Sequence, residues 1–333
     1  MPGHIEALRE SAKKDPKRIV LPESNDPRIL KAAALIGSLG IANIVLIGDE
    51  NDINRLAKEN SVSLGKTEII NPKNYAKRRE LVDTFYTLRS HKGITPDEAE
   101  KTIIENGVFF AALMVRLGFA DGFVAGAKYT SSDVARAALY CLGLNRDIGI
   151  MSSCFVIELK HCSYGDDGLF IFGDCGVVPN PNANKLAGIA ISSSLLYEEL
   201  FKRKAHVALL SYSTKGSAGG ESVEKVLKAL EIIKQKAPDL IIDGELQFDA
   251  AIVPEVAKIK APESNVAGKA NVLVFPNLDA GNISYKVTQR LGNARVVGPL
   301  FQGIKKPCSD LSRGCGIEEI IDAVAVTAVR AQK

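Results

Sequence analysis

HVALLSYSTKGSAGGESVEKVLKALEIIKQKAPDLIIDGEL, residues 206–246, is the stretch that decides the fold class. It opens with an apolar run, continues with a segment of helical period, and closes with a second apolar run. Both apolar runs are continuous rather than alternating, which is typical of strands covered on both faces of a parallel sheet. The stretch therefore predicts one strand–helix–strand repeat of an α/β fold.

The same kind of apolar run recurs on both sides of this stretch. The further runs are RIVL (18–21), ANIVLIG (42–48), GFVAG (122–126), FVIEL (155–159), LFIFGD (169–174), NVLVFPN (271–277) and ARVVGPL (294–300). Segments of helical period separate most of them, which predicts a doubly wound α/β architecture. HCSYGDDGLFIFGDC reads as a hairpin that interrupts the alternation, and the loss of apolar pattern in LGLNRDIG places a domain change near residues 145–150.

Composition excludes several classes of protein. A chain of 333 residues predicts about two domains. The formal charge of +3 is too small for a nucleic-acid-binding surface, and neither a membrane span nor a signal peptide is evident, so we expect a cytoplasmic protein. Six cysteines without a C-x-x-C spacing are expected to be reduced, and four scattered histidines predict no metal site.

Ligands in doubly wound sheets bind at the carboxyl ends of strands, so the loops that follow strands carry the candidate residues. In GAKYTSSDVARAAL, a strand leads through Thr130, Ser131 and Ser132 into a helix that carries Arg136. Free amides, hydroxyls and an arginine there could bind a phosphate or another oxyanion. The alternative is ordinary capping of the helix by Ser or Asp, with Arg136 in solvent.

Two later loops have similar chemistry. FPNLDAGNISYKVTQRL predicts a turn at Gly281-Asn282 followed by a helix with Lys286, and an ordinary turn and cap is the alternative. In PLFQGIKKPCSDLSRGCGIEEIIDAV, Ser312, Arg313 and Gly314 form a donor set suited to a phosphate or a developing oxyanion. Glu319 stands six positions beyond Arg313 and could act as a base or as a helix cap.

Two nucleotide-binding motifs are missing. STKGSA at residues 213–218 has a lysine after a strand, but the G-x-x-x-x-G-K-[ST] spacing of a P-loop is absent. No G-x-G-x-x-G follows a strand, so a dinucleotide-dependent dehydrogenase lacks its usual sequence motif.

Taken together, five segments in the same order resemble the phosphate acetyltransferase family over nearly the whole chain. They are GAKYTSSDVARAAL, LLSYSTKGSA, DGELQFDAAIVPEVAKIKAP, GKANVLVFPNLDAGNISYKVTQRL and DLSRGC, and LPESNDPRILKAA and FYTLRSHKG are also similar to that family. The resemblance implies the reversible reaction acetyl-CoA + phosphate = acetyl phosphate + CoA. CoA and acetyl-CoA are then substrates, and no cofactor is implied.

The resemblance also implies an architecture. Family members have two doubly wound α/β domains of the isocitrate/isopropylmalate-dehydrogenase-like type, with an interdomain cleft and with the C-terminal helix returning to the first domain. We therefore predict a first domain of residues 1–147 plus 300–333. The second domain, 148–299, is predicted to form a homodimer.

Residue roles follow from the same resemblance. Ser312 and Arg313 match residues that position the thiol and stabilise charge on the reacting groups. Arg89 and Arg136 match arginines implicated in binding CoA. The family's proposed base is usually an Asp six residues after the motif arginine, and here that position is Glu319. The predicted binding set is Arg89, Thr130, Ser131, Ser132, Arg136, Asn282 and Lys286.

The expected mechanism is direct attack of the CoA thiolate in a ternary complex, where proximity supplies much of the rate. A covalent acyl-enzyme is not needed, so Cys308 and Cys315 are expected to be structural. The alternatives are a butyryl- or propionyl-transferring relative and a non-catalytic CoA-binding relative. A decarboxylating dehydrogenase is disfavoured, because neither a metal-carboxylate cluster nor a nicotinamide signature is recognisable.

Overall fold

A computed structural model describes residues 3–332 of the chain. In chain order its strands are β1 (Arg18–Leu21), β2 (Asn43–Ile47), β3 (Glu68–Ile70), β4 (Gly122–Ala125), β5 (Ser152–Glu158), β6 (Leu169–Gly173), β7 (Val207–Leu210), β8 (Ile242–Leu246), β9 (Val272–Val274), β10 (Arg295–Gln302) and β11 (Cys308–Asp310). Its helices are α1 (His4–Lys13), α2 (Pro27–Ser38), α3 (Glu50–Glu59), α4 (Arg78–Arg89), α5 (Pro96–Glu105), α6 (Gly107–Arg116), α7 (Ser131–Ala137), α8 (Ala183–Phe201), α9 (Glu221–Lys236), α10 (Phe248–Ile252), α11 (Pro254–Lys260), α12 (Leu278–Leu291) and α13 (Ile317–Ala331).

The chain divides into two compact units. Unit 1 comprises residues 1–143 and 304–333, and unit 2 comprises residues 144–303. The sequence-based prediction placed these boundaries at 147/148 and 299/300. None of the helices within residues 3–332 is both long and apolar enough to cross a membrane.

Unit 1 contains a parallel arrangement of strands in the order β3-β2-β1-β4-β11. The buried strands are continuous apolar runs, as the sequence pattern predicted. The C-terminal helix α13 packs against α1, α2 and β4 of the same unit. Arg9 of α1 fixes it there through an ion pair of 2.6 Å with the buried carboxylate of Asp322.

Unit 2 contains a mixed arrangement of strands in the order β10-β5-β6-β9-β7-β8. Strands β6, β9, β7 and β8 are parallel, and β5 is antiparallel to both β6 and β10. The pairing of β5 with β6 confirms the hairpin predicted from the turn residues at 164–168. The α/β fold class is confirmed in both units.

Two strands were not predicted from the apolar runs of the sequence. β3 and β11 have three residues each, and neither is a continuous apolar run: Glu68 opens β3 and Asp310 closes β11. The loop predicted between the last strand and the C-terminal helix therefore contains a further strand. Pairing of β11 with β4 stabilises this segment, and such long-range pairing cannot be recognised in three residues of sequence.

Candidate functional site

Three loops of unit 1 meet at one edge of its sheet. β1, β4 and β11 are neighbouring parallel strands, so the segments that follow them leave from the same side. We call residues 22–26, 126–130 and 311–316 together the loop cluster. The cluster contains or borders most of the predicted site residues of this unit.

Arg28 binds the three segments of the loop cluster to one another. Its Nη1 donates to the carbonyl oxygens of Arg313 at 2.8 Å and of Cys315 at 3.0 Å. Its Nη2 donates to the Ala127 carbonyl at 3.0 Å and to the Asp26 carboxylate at 2.7 Å. A guanidinium has donors enough for all of these acceptors in one plane, which a lysine does not. Arg28 is therefore a positioning residue for the Ser312-Arg313 segment.

Glu23 fixes the second segment in a different way. Its carboxylate is buried and accepts four backbone N–H bonds, from Gly126 and Ala127 at 2.9 Å, from Lys128 at 2.6 Å and from Tyr129 at 2.8 Å. These donors are successive residues, so one carboxylate determines the path of the chain into α7. Hydrogen bonds to a charged acceptor are stronger than neutral ones, and this segment is accordingly rigid.

Ser312 and Arg313 are exposed on the third segment. The Ser312 hydroxyl accepts one N–H bond from Gly314 at 3.3 Å. Within residues 3–332 the guanidinium of Arg313 forms no hydrogen bond or ion pair, while its own carbonyl oxygen is held by Arg28. The structure thus fixes the backbone of Arg313 and leaves its charged group available to an anion.

Glu319 lies in the first turn of α13 and is used there as a cap. Its Oε2 accepts the N–H of Gly316, the residue preceding the helix, at 2.6 Å. This reciprocal bond is half of a capping box, the alternative that the sequence analysis had left open. The role of Glu319 as the base stays a prediction.

α7 begins at the second segment of the loop cluster. Thr130 caps it by accepting the Asp133 N–H at 3.2 Å, so the cap is a threonine rather than the predicted serine or aspartate. Ser131 and Ser132 are exposed in its first turn. Arg136 pairs with Asp133 at 3.3 Å and keeps half of its side chain exposed.

Arg89 lines a basic cavity of about 560 Å³ in unit 1. Its guanidinium stacks on the ring of Tyr140 at 3.7 Å from the centroid, and Lys92 and Lys101 also line the cavity, against one acidic residue, Glu98. A second cavity of about 800 Å³ follows β1, β2 and β3 and is more acidic, with five carboxylates against three cations in its lining. Phosphate groups are therefore better matched to the cavity at Arg89.

Asn282 and Lys286 both lie on α12 in unit 2. The turn predicted at Gly281-Asn282 is wrong, because α12 begins at Leu278 and is capped by Asn277. Gly281 is needed for packing inside the helix, since a Cβ atom there would lie 2.3 Å from the carbonyl oxygen of Asp174. The Asn282 amide donates to the Cys175 carbonyl at 3.1 Å, and Lys286 is exposed.

Cysteine chemistry is disfavoured by the surroundings of Cys315. Burial raises the pKa of the Cys315 thiol to about 11, so it is almost wholly protonated at neutral pH. Lys215, in the STKGSA segment that lacks the P-loop spacing, forms an ion pair of 2.5 Å with Asp243. This lysine therefore has a structural role.

Sequence reasoning assigned no role to Glu23, Arg28 or Asp310. All three lie within or beside segments that resembled the family, LPESNDPRILKAA and DLSRGC. The available signal was the position of Glu23 just after β1 and of Asp310 at the end of β11, because side chains at the carboxyl ends of parallel strands commonly contribute to binding sites. The backbone groups that Glu23 and Arg28 bond are 99 to 287 residues away in the chain, so spacing alone could not identify them.

Comparison with known proteins gives a consistent result. Residues 4–328 match the family described as phosphate acetyl/butaryl transferase. The chain is 50% identical to a phosphate acetyltransferase of Acetivibrio thermocellus, with 98% of each chain covered. It is 47% identical to one of Thermoanaerobacterium thermosaccharolyticum, with 98% of this chain and 99% of the relative covered. The structure matches a phosphotransacetylase from Streptococcus pyogenes with a TM-score of 0.91, at 38% identity and 98% coverage of both chains.

Proposed function

The chain belongs to the phosphate acetyl/butaryl transferase family, and we propose from this premise that it is a phosphate acetyltransferase. Its reaction is acetyl-CoA + phosphate = acetyl phosphate + CoA. Within this family the observation that carries the assignment is Arg313. Among residues 3–332 its guanidinium has no hydrogen-bond or ion-pair partner, while its backbone carbonyl is held by Arg28.

Arg313 is suited to the charge that develops in this reaction. When the CoA sulfur attacks acetyl phosphate, negative charge grows on the carbonyl oxygen and on the leaving phosphate. A guanidinium can hold either group by paired hydrogen bonds, and it does so best when it is already in place. Ser312, beside it in the loop cluster, supplies a hydroxyl that can position the thiol. No acyl-enzyme forms, and the two substrates react directly.

We assign the phosphates of CoA to the arginines of unit 1. The cavity at Arg89 has three cations in its lining, and Arg136 presents an exposed guanidinium on α7. Thr130, Ser131 and Ser132 at the start of α7 offer hydroxyls for the same ligand. Asn282 and Lys286 of unit 2 stay binding residues predicted from sequence, and of the two Lys286 is exposed.

We also propose a homodimer formed through unit 2. On α12, Ile283, Val287 and Leu291 are spaced by four residues and therefore share one helix face. Their exposed fractions are 61%, 48% and 84%. An exposed apolar stripe of this kind favours contact with another protein surface. CoA and acetyl phosphate are substrates in this scheme, a resident cofactor is not required, and a cytoplasmic location stays a prediction from sequence.

The test is turnover. Purified protein with CoA and acetyl phosphate should form a thioester, followed by its ultraviolet absorbance, and butyryl phosphate in place of acetyl phosphate measures the acyl preference. Arg313→Gln should lower kcat on the order of 100-fold, on the scale of one lost oxyanion contact. Arg79→Gln is the control, because Arg79 is 94% exposed on α4, and it should leave kcat unchanged. Absence of thioester formation by the parent protein would refute the proposed function.

A further inference from the structure

Asp310 is a buried carboxylate with no use in the scheme above. It is the last residue of β11, its exposed fraction is 0%, and it stands two residues before Ser312. Neither of its carboxylate oxygens has a hydrogen-bond partner of ordinary geometry within residues 3–332, although the Ser131 hydroxyl and the Leu311 amide lie close enough to favour its ionised form. Burying a carboxylate in this way is costly, and an unpartnered buried polar group requires an explanation.

The carboxylate is pressed against the backbone of the loop cluster. Asp310 pairs with Ala125 in the sheet, and the next residue, Gly126, has a φ of +117°. A Cβ atom at Gly126 would lie 2.2 Å from Oδ1 of Asp310. Only glycine fits there, so the close approach of Asp310 to this segment is part of the fold.

Ser131 is the side chain that connects Asp310 to the surface. Burial raises the pKa of Asp310 to about 7, against the opposing effects of the Ser131 hydroxyl and the Leu311 amide. Ser131 is itself exposed in the first turn of α7, which contacts β11. Ser131 is therefore an exposed residue whose hydroxyl acts on the buried carboxylate of Asp310.

The polar and titratable groups around Asp310 come from the segment after β1, from α13 and from β11 itself. Glu23, in the segment after β1, disfavours ionisation of Asp310. From α13, Arg330 donates to the Cys308 carbonyl at 3.3 Å, and the Thr327 hydroxyl bonds that of Ser309 at 2.7 Å. The Cys308 thiol is buried two residues before Asp310. No cation is paired with Asp310 among the described residues, so a proton is the species that can neutralise it.

We infer that Asp310 receives, through the Ser131 hydroxyl, the proton that leaves the CoA thiol. The inference rests on the proposed function. Because Asp310 acts through Ser131, it is a positioning residue with a proton-holding role, and Ser131 is the group that meets the substrates. Ser131 acts on Asp310, which stands two residues before Ser312, and its helix α7 contacts β11.

The step balances without any further reactant. The thiol gives its proton to the Ser131 oxygen as Ser131 gives its own proton to Asp310. The thiolate sulfur then bonds the carbonyl carbon of acetyl phosphate, and the bond from that carbon to the phosphate oxygen breaks. The leaving phosphate takes the electron pair and recovers the proton from Asp310 along the same path. A proton acceptor that titrates near the operating pH is the most effective for such a transfer.

Asp310→Asn is the first test, and the parent enzyme is measured beside it. In the parent, kcat should rise with pH through about 7 as Asp310 loses its proton. Asp310→Asn should lower kcat by at least about 100-fold and remove this rise. Asp322→Asn is the matched control: it removes another buried carboxylate of unit 1, the partner of Arg9, and should keep the pH profile of the parent.

Ser131 gives a second test that leaves the buried site unaltered. Ser131→Ala should reproduce the pH profile of Asp310→Asn, and Ser131→Thr, which keeps a hydroxyl, should restore the rise with pH. An unchanged profile in Ser131→Ala would overturn the inference, even if Asp310→Asn failed to fold. A rise lost in Glu319→Gln but kept in Asp310→Asn would also overturn it. An inactive parent would refute the proposed function instead, so the two failures are distinguishable.

Discussion

The segment after β1 and the end of β11 each bury a carboxylate, and the two carboxylates have opposite surroundings. Glu23 is 2% exposed and accepts four N–H groups. Asp310 is 0% exposed, and neither of its oxygens has a hydrogen-bond partner of ordinary geometry within the described chain. Both lie at the same edge of the same sheet, so burial alone does not distinguish them.

The difference lies in where the backbone donors point. Four amides turn toward Glu23, which compensates the loss of water around its charge. Around Asp310 the Leu311 amide and the Ser131 hydroxyl only partly offset burial, so burial raises the pKa of this carboxylate. Glu23 therefore stabilises the loop cluster, whereas Asp310 is buried without that compensation and its pKa is raised.

The largest expected effect concerns the pH dependence of stability. The pKa of Asp310 is about 7 in the folded protein, against an ordinary value of 3.8. Because the folded value is raised, the stabilisation is fully present below the ordinary pKa and is lost as pH rises to about 7. One pKa unit corresponds to about 1.4 kcal/mol, so the loss between pH 4 and pH 8 is about 4 kcal/mol. Asp310→Asn should remove this part of the pH dependence, measured by urea unfolding of the whole chain.

Asp26 provides a control of opposite sign. Burial opposes its ionisation, but hydrogen bonds and the charge of Arg28 outweigh burial and lower the pKa of Asp26. Its contribution is present above the ordinary pKa and is lost as pH falls below about 4. Asp26→Asn should therefore flatten the acid side of the stability profile only. If the free energy of unfolding depended on pH in the same way in the parent and in Asp310→Asn, the proposed difference between Glu23 and Asp310 would be wrong.

The next effect is smaller and concerns the other carboxylate. Glu23→Gln replaces an acceptor of two N–H bonds by an amide group that cannot accept them, and it removes the charge. We expect the free energy of unfolding at pH 7 to fall by about 3 kcal/mol, on the scale of lost charged hydrogen bonds. Glu59→Gln is the control, because Glu59 is exposed and should change stability by less than about 0.5 kcal/mol. Equal stability of both variants would show that the four amides do not need the carboxylate.

The smallest effect is expected at Glu319. Its carboxylate caps α13 through Gly316, and glutamine can accept the same N–H bond. Glu319→Gln should therefore lower the free energy of unfolding by no more than about 1 kcal/mol. It should lower kcat by less than about tenfold. If Glu319 is instead the base, the same variant loses at least about 100-fold in kcat and Glu319→Asp stays active. Melting and kcat of both variants decide between the two roles.

The sequence by itself determined the α/β class and most of the strands. It also contained the five segments that identify the family. The runs that became β1, β2, β4 and β7 are buried on both faces, and such strands keep their apolar pattern whatever their partners are. The loops that follow strands were also recognisable, because Gly, Ser, Thr and Asp mark them directly. Ser312 and Arg313 were found in this way.

Only the tertiary structure decided which charged residues act together. Asp310 precedes Ser312 by two residues, yet its burial depends on β4, on the segment after β1 and on the first turn of α7. Arg28 reaches carbonyl groups 99, 285 and 287 residues away. The environment of a carboxylate is set by the donors and the water that surround it in space, and these come from segments whose approach the chain's spacing does not encode.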